Sequence, residues 1–201
     1  MLALIVVTIL LLMLWRLGRR SGVTRSELHR VLPADDVVPD ANLVIDRAVT
    51  LPAPVSVVWP WIVQLGKGRA GWYAPNWLEK VLVWKKSRRG IRYIREDLQR
   101  LRDGDVVEDW GPASLQVIHL SPQQSVQYRG ITEPDRTNRK VSNYTWVLVL
   151  NTHKDNQTRL HIRLRITLKR KLTIIPVRIA GGFIDYLTIV ILFAGLRERL
   201  K

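Results

Sequence analysis

The run TRLHIRLRITLKRKL, residues 158–172, constrains this chain more than any other segment. Leu160, Ile162, Leu164, Ile166, Leu168 and Leu172 fall on one side of an extended backbone. Arg159, His161, Arg163, Arg165, Thr167, Lys169 and Lys171 fall on the other. A period of two held that long predicts an antiparallel strand with one buried face, and such a strand needs a sheet around it. The opposite row reads as a basic face turned to solvent.

The neighbours supply that sheet. LVIDRAVTL (43–51), DGDVVED (103–109), SLQVIHL (114–120), SVQYRGI (125–131) and NYTWVLVL (143–150) are short apolar or alternating runs bounded by Gly, Pro, Ser or Asn. Between the first two lies VSVVWPWIVQL, which predicts a short buried helix over 55–65 capped by Ser56, with Pro60 placed in its first turn. Residues 85–102 are basic and read as helical or irregular. Pro176 opens a last helix that runs to about Arg199. Its centre, YLTIVILFAGL, is apolar almost all round. One stripe, Ile184, Leu187, Val190, Ile191 and Ala194, is expected on the sheet. A second, Ile189, Phe193, Leu196 and Leu200, then needs another apolar neighbour. The class is α+β.

Charge divides the chain further. There are 32 Lys and Arg against 17 Asp and Glu, a formal +15. Residues 1–15 (MLALIVVTILLLMLW) carry none of it, whereas 16–30 carry five Arg against one Glu. The remaining excess falls on 85–102 and 154–178. An uncharged apolar N-terminus with basic residues only behind it reads as an uncleaved, single-pass membrane anchor with the domain on the cytoplasmic side. That gives an anchor over 1–19, a polar tether over 20–42 with Pro33 and Pro39, and one domain over 43–201. Arg16, Arg19, Arg20, Arg163, Arg165, Lys169 and Lys171 are the residues expected to meet an anionic membrane surface. Nucleic acid is not expected as a partner, because charge is the only feature favouring it and no helix-turn-helix, aromatic RNA-binding strand pair or zinc module is present.

Several chemistries are excluded by composition. The chain has no cysteine, so disulfides, thiolate metal sites and thiol nucleophiles cannot occur. Its four histidines are scattered without metal-ligand spacing, and no cofactor is expected. GKGRAG, residues 66–71, matches a dinucleotide-binding glycine pattern letter for letter. It lacks the preceding strand, the long following helix and the acidic residue that the pattern needs, so it reads as a turn. His119, Glu108, Asp109, Arg129 and Asp185 are isolated polar residues that form no recognisable catalytic pair.

RAVTLPAPVSVVWPWIVQLGKGRAGWYAPNWLE, residues 47–79, resembles the signature of a bacterial, membrane-anchored branch of the SRPBCC, or START-like, superfamily, the polyketide cyclase/dehydrase and lipid transport type. SGVTRSELHRVLPADDVVPD (21–40) is similar to the segment that precedes it there, and DGDVVED and TWVLVLNTHKDNQTRLHIRLRI match more loosely. The basic stretch KKSRRGIRYIRE and the apolar YLTIVILF depart from that branch. The resemblance implies a helix-grip fold, a curved antiparallel sheet wrapped on a long C-terminal helix, here preceded by an N-terminal transmembrane helix. It also implies a cavity between sheet and helix for a hydrophobic or lipid-like small molecule. Trp59, Trp72, Tyr73, Trp77, Trp110, Tyr128, Trp146 and Tyr186 are the candidate lining, with GWYAPNW at the mouth. The function expected is non-catalytic binding or transport of that molecule. A cyclase- or hydrolase-like enzyme using the same cavity, and a membrane-tethered interaction module without a ligand, are the alternatives.

Overall fold

The computed structural model describes residues 12–13, 16–82, 90–108, 114–131, 144–168 and 180–201. Among them, seven strands form a single curved sheet: β1 (Arg20–Ser21), β2 (Leu43–Leu51), β3 (Val106–Glu108), β4 (Ser114–Ser121), β5 (Ser125–Ile131), β6 (Tyr144–His153) and β7 (Gln157–Ile166). Their order is β1-β2-β7-β6-β5-β4-β3, antiparallel throughout except for the parallel β1–β2 edge. The helices are α1 (Arg25–His29), α2 (Val55–Gln64), α3 (Asn76–Leu82) and α4 (Gly182–Arg199). The sheet with its C-terminal helix is consistent with the helix-grip architecture. No helix among the described residues is long and apolar enough to cross a membrane. Most of the apolar 1–15 run lies outside them.

The inner face of the sheet carries Val49, Leu51, Val117, Val126, Leu148, Leu150, Leu160 and Ile162, packed against Val58 and Ile62 of α2 and Ile189, Leu192, Phe193 and Leu196 of α4. The apolar row of β7 is thus buried as the alternation demands. The basic row corrects the expectation of a solvent face, because residues 20–40 fold back over it. Thr24 and Glu27 close a capping box on α1, Thr24 Oγ1 accepting from Glu27 N and Thr24 N donating to Glu27 Oε2 at 2.7 Å. Arg159 Nε then donates to Glu27 Oε1 at 2.7 Å. Arg163, 4% exposed, donates to Asp46 and Asp35 and to the carbonyls of Glu27, Leu28 and Arg30. Arg165 donates to the carbonyls of Val38 and Pro39. Arginine, with five donors on a flat fork, suits a face that must satisfy carbonyls as well as carboxylates. Arg163 is therefore interior, not a surface residue; Lys169 and Lys171 lie outside the described residues.

Three local expectations change. Helix α2 is capped at Pro54 without a side-chain bond, so Ser56 is not the cap. Pro60 falls at the sixth helical position, where its missing N–H leaves the Ser56 carbonyl without its helical donor. The stripes of α4 are exchanged: Ile189, Phe193 and Leu196 face the core, while Ile184, Leu187 and Val190 are 61%, 44% and 42% exposed. Gly195 decides the orientation, since a Cβ there would lie 2.5 Å from the Tyr73 carbonyl carbon and oxygen; only that face of the helix can approach so closely.

Candidate functional site: an aromatic cavity under the C-terminal helix

Residues 66–71 close a loop in which Gly66 and Gly71 exchange backbone hydrogen bonds, with φ of 143° and 84° at these two glycines and 74° at Gly68. It is the turn the sequence implies, and no phosphate cradle is needed to explain its glycines. The loop has a second consequence. It sets Trp72 at the edge of a cavity of about 270 Å³ between the sheet and α4.

One wall of that cavity is a ladder of three rings. Tyr128 of β5 and Trp146 of β6 are direct cross-strand partners, their centroids 5.6 Å apart and their planes at 30°. Trp72 continues the stack, 6.3 Å from Trp146 at 26°. Its indole Nε1 donates to the Thr188 carbonyl at 3.1 Å, tying the ladder to α4. Leu164 and Ile166 of β7, Leu115, Val107 and Ile189 supply aliphatic walls. Gly130 leaves room for the Tyr144 ring, which would lie 2.0 Å from any Cβ placed there.

The polar groups are few and differ in state. Tyr128 is buried, which raises its phenol pKa and keeps it a neutral donor; among the described residues its hydroxyl has no hydrogen-bond partner. Asp185, in the first turn of α4, lies with Oδ2 2.9 Å from Arg47 Nη2. Burial pushes its carboxyl up and the Arg47 charge opposes that. Arg47 is a fully buried charge on the inner face of β2. Its Nη2 also donates to the carbonyls of Gly18 at 2.8 Å and Gly182 at 3.2 Å, and it lies over the Tyr186 ring. The start of α4, the N-terminal segment and the sheet meet at this one guanidinium.

Of the eight aromatic candidates, Trp72, Tyr128 and Trp146 come together in the cavity. Tyr73 is fully buried in the core, its hydroxyl donating to the Trp61 carbonyl at 2.9 Å and its ring beneath Arg199. Trp59 packs against the core, and Trp77 is 66% exposed, so GWYAPNW is split rather than gathered at a mouth. Tyr186 lines a separate groove with Arg16, Leu17 and Arg25. Trp110 lies outside the described residues. The sequence reading missed Tyr144, Leu164, Ile166 and Thr188 as lining. The alternation of β7 could have found Leu164 and Ile166, since both continue the apolar row that Leu160 and Ile162 bury on the inner face.

His119 stands apart from the cavity. Its Nδ1 is 3.3 Å from Asp103 and its Nε2 is 3.1 Å from Ser121 Oγ, with both His119 and Asp103 exposed. The three groups have the order of a hydroxyl, imidazole and carboxylate relay. They are exposed, and none of the three cavities lined by described residues includes them. Among the described residues no cluster of His, Asp and Glu could hold a metal ion.

No family model matches the chain, and no curated protein matches it. Solved structures are similar to this chain only at low identity and low TM-score. CalU16 from Micromonospora echinospora is 18% identical over 78% of this chain and 83% of its own, with a TM-score of 0.39. A conserved protein from Geobacillus kaustophilus is 20% identical over 79% and 95%, with a TM-score of 0.42. CV1439 from Chromobacterium violaceum is 14% identical over 77% and 97%, also at 0.42. At these values the likeness assigns neither family nor activity.

Proposed function

We propose that this chain is a non-catalytic carrier or sensor of a small hydrophobic molecule, bound between the sheet and α4. The observation that carries the reading is the Trp72–Trp146–Tyr128 ladder, which with Leu164 beside Trp146 in the sheet and Ile189 of α4 lines a cavity of about 270 Å³. An apolar chamber with a few fixed polar groups is the usual design of a ligand site. Its size is at the low end of such sites, which fits one or two rings or a short acyl chain rather than a whole phospholipid. The Tyr128 hydroxyl offers a neutral donor and Asp185 an acceptor, so the ligand carries at least one polar atom.

The same proposal places the domain at a membrane. The uncharged run 1–15 followed by Arg16, Arg19 and Arg20 supports a single-pass anchor with the domain on the cytoplasmic side, close to a reservoir of apolar ligands.

Native mass spectrometry of the full chain, purified in a neutral detergent, tests the binding reading. A co-purifying apolar molecule that is lost in Trp146→Leu is the expected result. An empty protein whose melting temperature no lipid or aromatic compound raises would overturn it, and turnover of a captured compound would favour the enzyme reading instead.

A further inference from the structure

On the opposite face of the sheet lies a second concavity, of about 390 Å³, and its chemistry is unlike the first. Arg16, Arg19, Arg20, Arg163 and Arg165 line it, with Asp46 as the one carboxylate in its wall and Leu28 and Val44 as its apolar members. Two of these arginines are fixed. Arg163 is held by Asp46 at 2.8 Å and Asp35 at 2.7 Å, and Arg165 by the Val38 carbonyl at 3.1 Å. Asp46 is itself occupied, its Oδ1 also bonded to His161 Nε2 at 2.8 Å. The carboxylates at the site are thus committed to the wall. Arg16 and Arg20 are exposed, and among the described residues their guanidinium groups have no partner. Strand β1 brings Arg20 there: it pairs with Asp46 in parallel register and Asp46 pairs with Arg163, so the three stand in one cross-strand row.

The guanidinium groups around this concavity outnumber the carboxylates that meet them, Asp46 and Asp35, and the exposed Arg16 and Arg20 leave it a net positive field that an anion would satisfy. We propose that this pocket binds a phosphate group, with Arg16 and Arg20 closing on it over a rigid wall made by Arg163 and Arg165. Planar, bidentate donors suit the tetrahedral oxygens of a phosphate. The group is carried either by an anionic lipid headgroup or by a soluble phosphate. The site is separate from the aromatic cavity and does not depend on it.

The test uses the full chain in neutral detergent at physiological salt. Short-chain phosphatidic acid, short-chain phosphatidylcholine and inorganic phosphate are titrated in turn, with binding read by calorimetry. Saturable binding of phosphatidic acid is expected, about tenfold weaker in Arg16→Gln/Arg20→Gln. It should be unchanged in Arg100→Gln/Arg129→Gln, which removes the same charge from exposed positions elsewhere. Inorganic phosphate binding as tightly as phosphatidic acid supports the site with a soluble source, and clearly tighter lipid binding supports it with a headgroup. Equal losses in both double variants, phosphatidylcholine binding as well as phosphatidic acid, or no saturable binding of any probe would overturn the proposal. Because the cavity's ligand is scored independently by mass spectrometry, either reading can fail alone.

Discussion

Asp46→Asn is the sharpest perturbation of the outer face. The Asp46 carboxylate accepts from His161 Nε2 and Arg163 Nε, both at 2.8 Å, and all three side chains are buried. The amide keeps the shape but removes the charge, leaving Arg163 with Asp35 at 2.7 Å as its carboxylate. Removing one partner of a buried pair costs about 3–5 kcal/mol, because the other charge stays behind without compensation. Asp35 and the carbonyls of the tether keep part of that compensation, and the amide oxygen still accepts, so a loss of about 2–3 kcal/mol is expected. For a chain of this length each kcal/mol moves the midpoint by about 2–4 °C, which gives about 4–12 °C. Thermal unfolding followed by circular dichroism in neutral detergent measures it. Arg163→Met should be comparably damaging, and the double variant should fall short of the summed losses by about 1 kcal/mol or more, since the two residues share one network. A midpoint shift under about 2 °C, or strict additivity, would refute the claim that this row is a buried ionic clamp.

Other expectations follow from single contacts. The Arg159 hydrogen bonds hold the Glu27 carboxyl at about 2, below its ordinary 4.5; the stabilisation is therefore complete above pH 4.5 and is lost as the pH falls from there toward 2. Limited proteolysis by an acid-active protease should show residues 20–40 releasing across that window in the wild type, and a Glu27→Gln curve of the same shape would contradict the assignment. Gly195→Ala should cost about 1–3 kcal/mol in urea unfolding, because its Cβ meets the Tyr73 carbonyl carbon and oxygen at 2.5 Å. The opposite sign, the gain of about 1 kcal/mol that alanine gives an unconstrained helix, would show that α4 does not sit so close. Ile189→Trp turns the cavity's own volume against its ligand: the ring should enter the void, destabilise by less than about 1 kcal/mol where overpacking a filled core costs more, and abolish co-purification of the apolar molecule.

Much of this was legible because short apolar or alternating runs bounded by turn residues advertise strands. LVIDRAVTL and SVQYRGI form strands with the boundaries their composition marks. The glycine loop followed from the absence of its required neighbours. The two errors with the greatest consequence share a cause. An alternating row says that two faces differ, but not what covers the second, so Arg163 looked solvated although Glu27, Asp35 and Arg30 were only about 130 residues away in sequence and adjacent in space. Likewise an all-apolar helix has no periodicity to choose its buried stripe. For α4 the choice came from a glycine, because Gly195 permits a contact that the larger residues of the other stripe forbid. The site was half visible: aromatic residues could be named, but their convergence depends on which strands pair, and Tyr128 meets Trp146 only through the β5–β6 register.

That register and that covering tether also change what the net charge means. A formal +15 suggests one long-range attraction, yet the arginines of β7 are mostly spent inside the molecule, on Glu27, Asp35, Asp46 and backbone carbonyls. Charges paired with carboxylates in this way add little to the long-range field, and salt screens them little, because their partners sit within hydrogen-bond reach and out of water. The exposed guanidinium groups of Arg16 and Arg20 are screened over about 8 Å at physiological ionic strength. Raising salt should therefore weaken anion capture while the tether stays docked, whereas acid should release the tether through Glu27. The two responses separate the arginines that build the fold from those left over to meet a partner, a division that the count of basic residues does not contain.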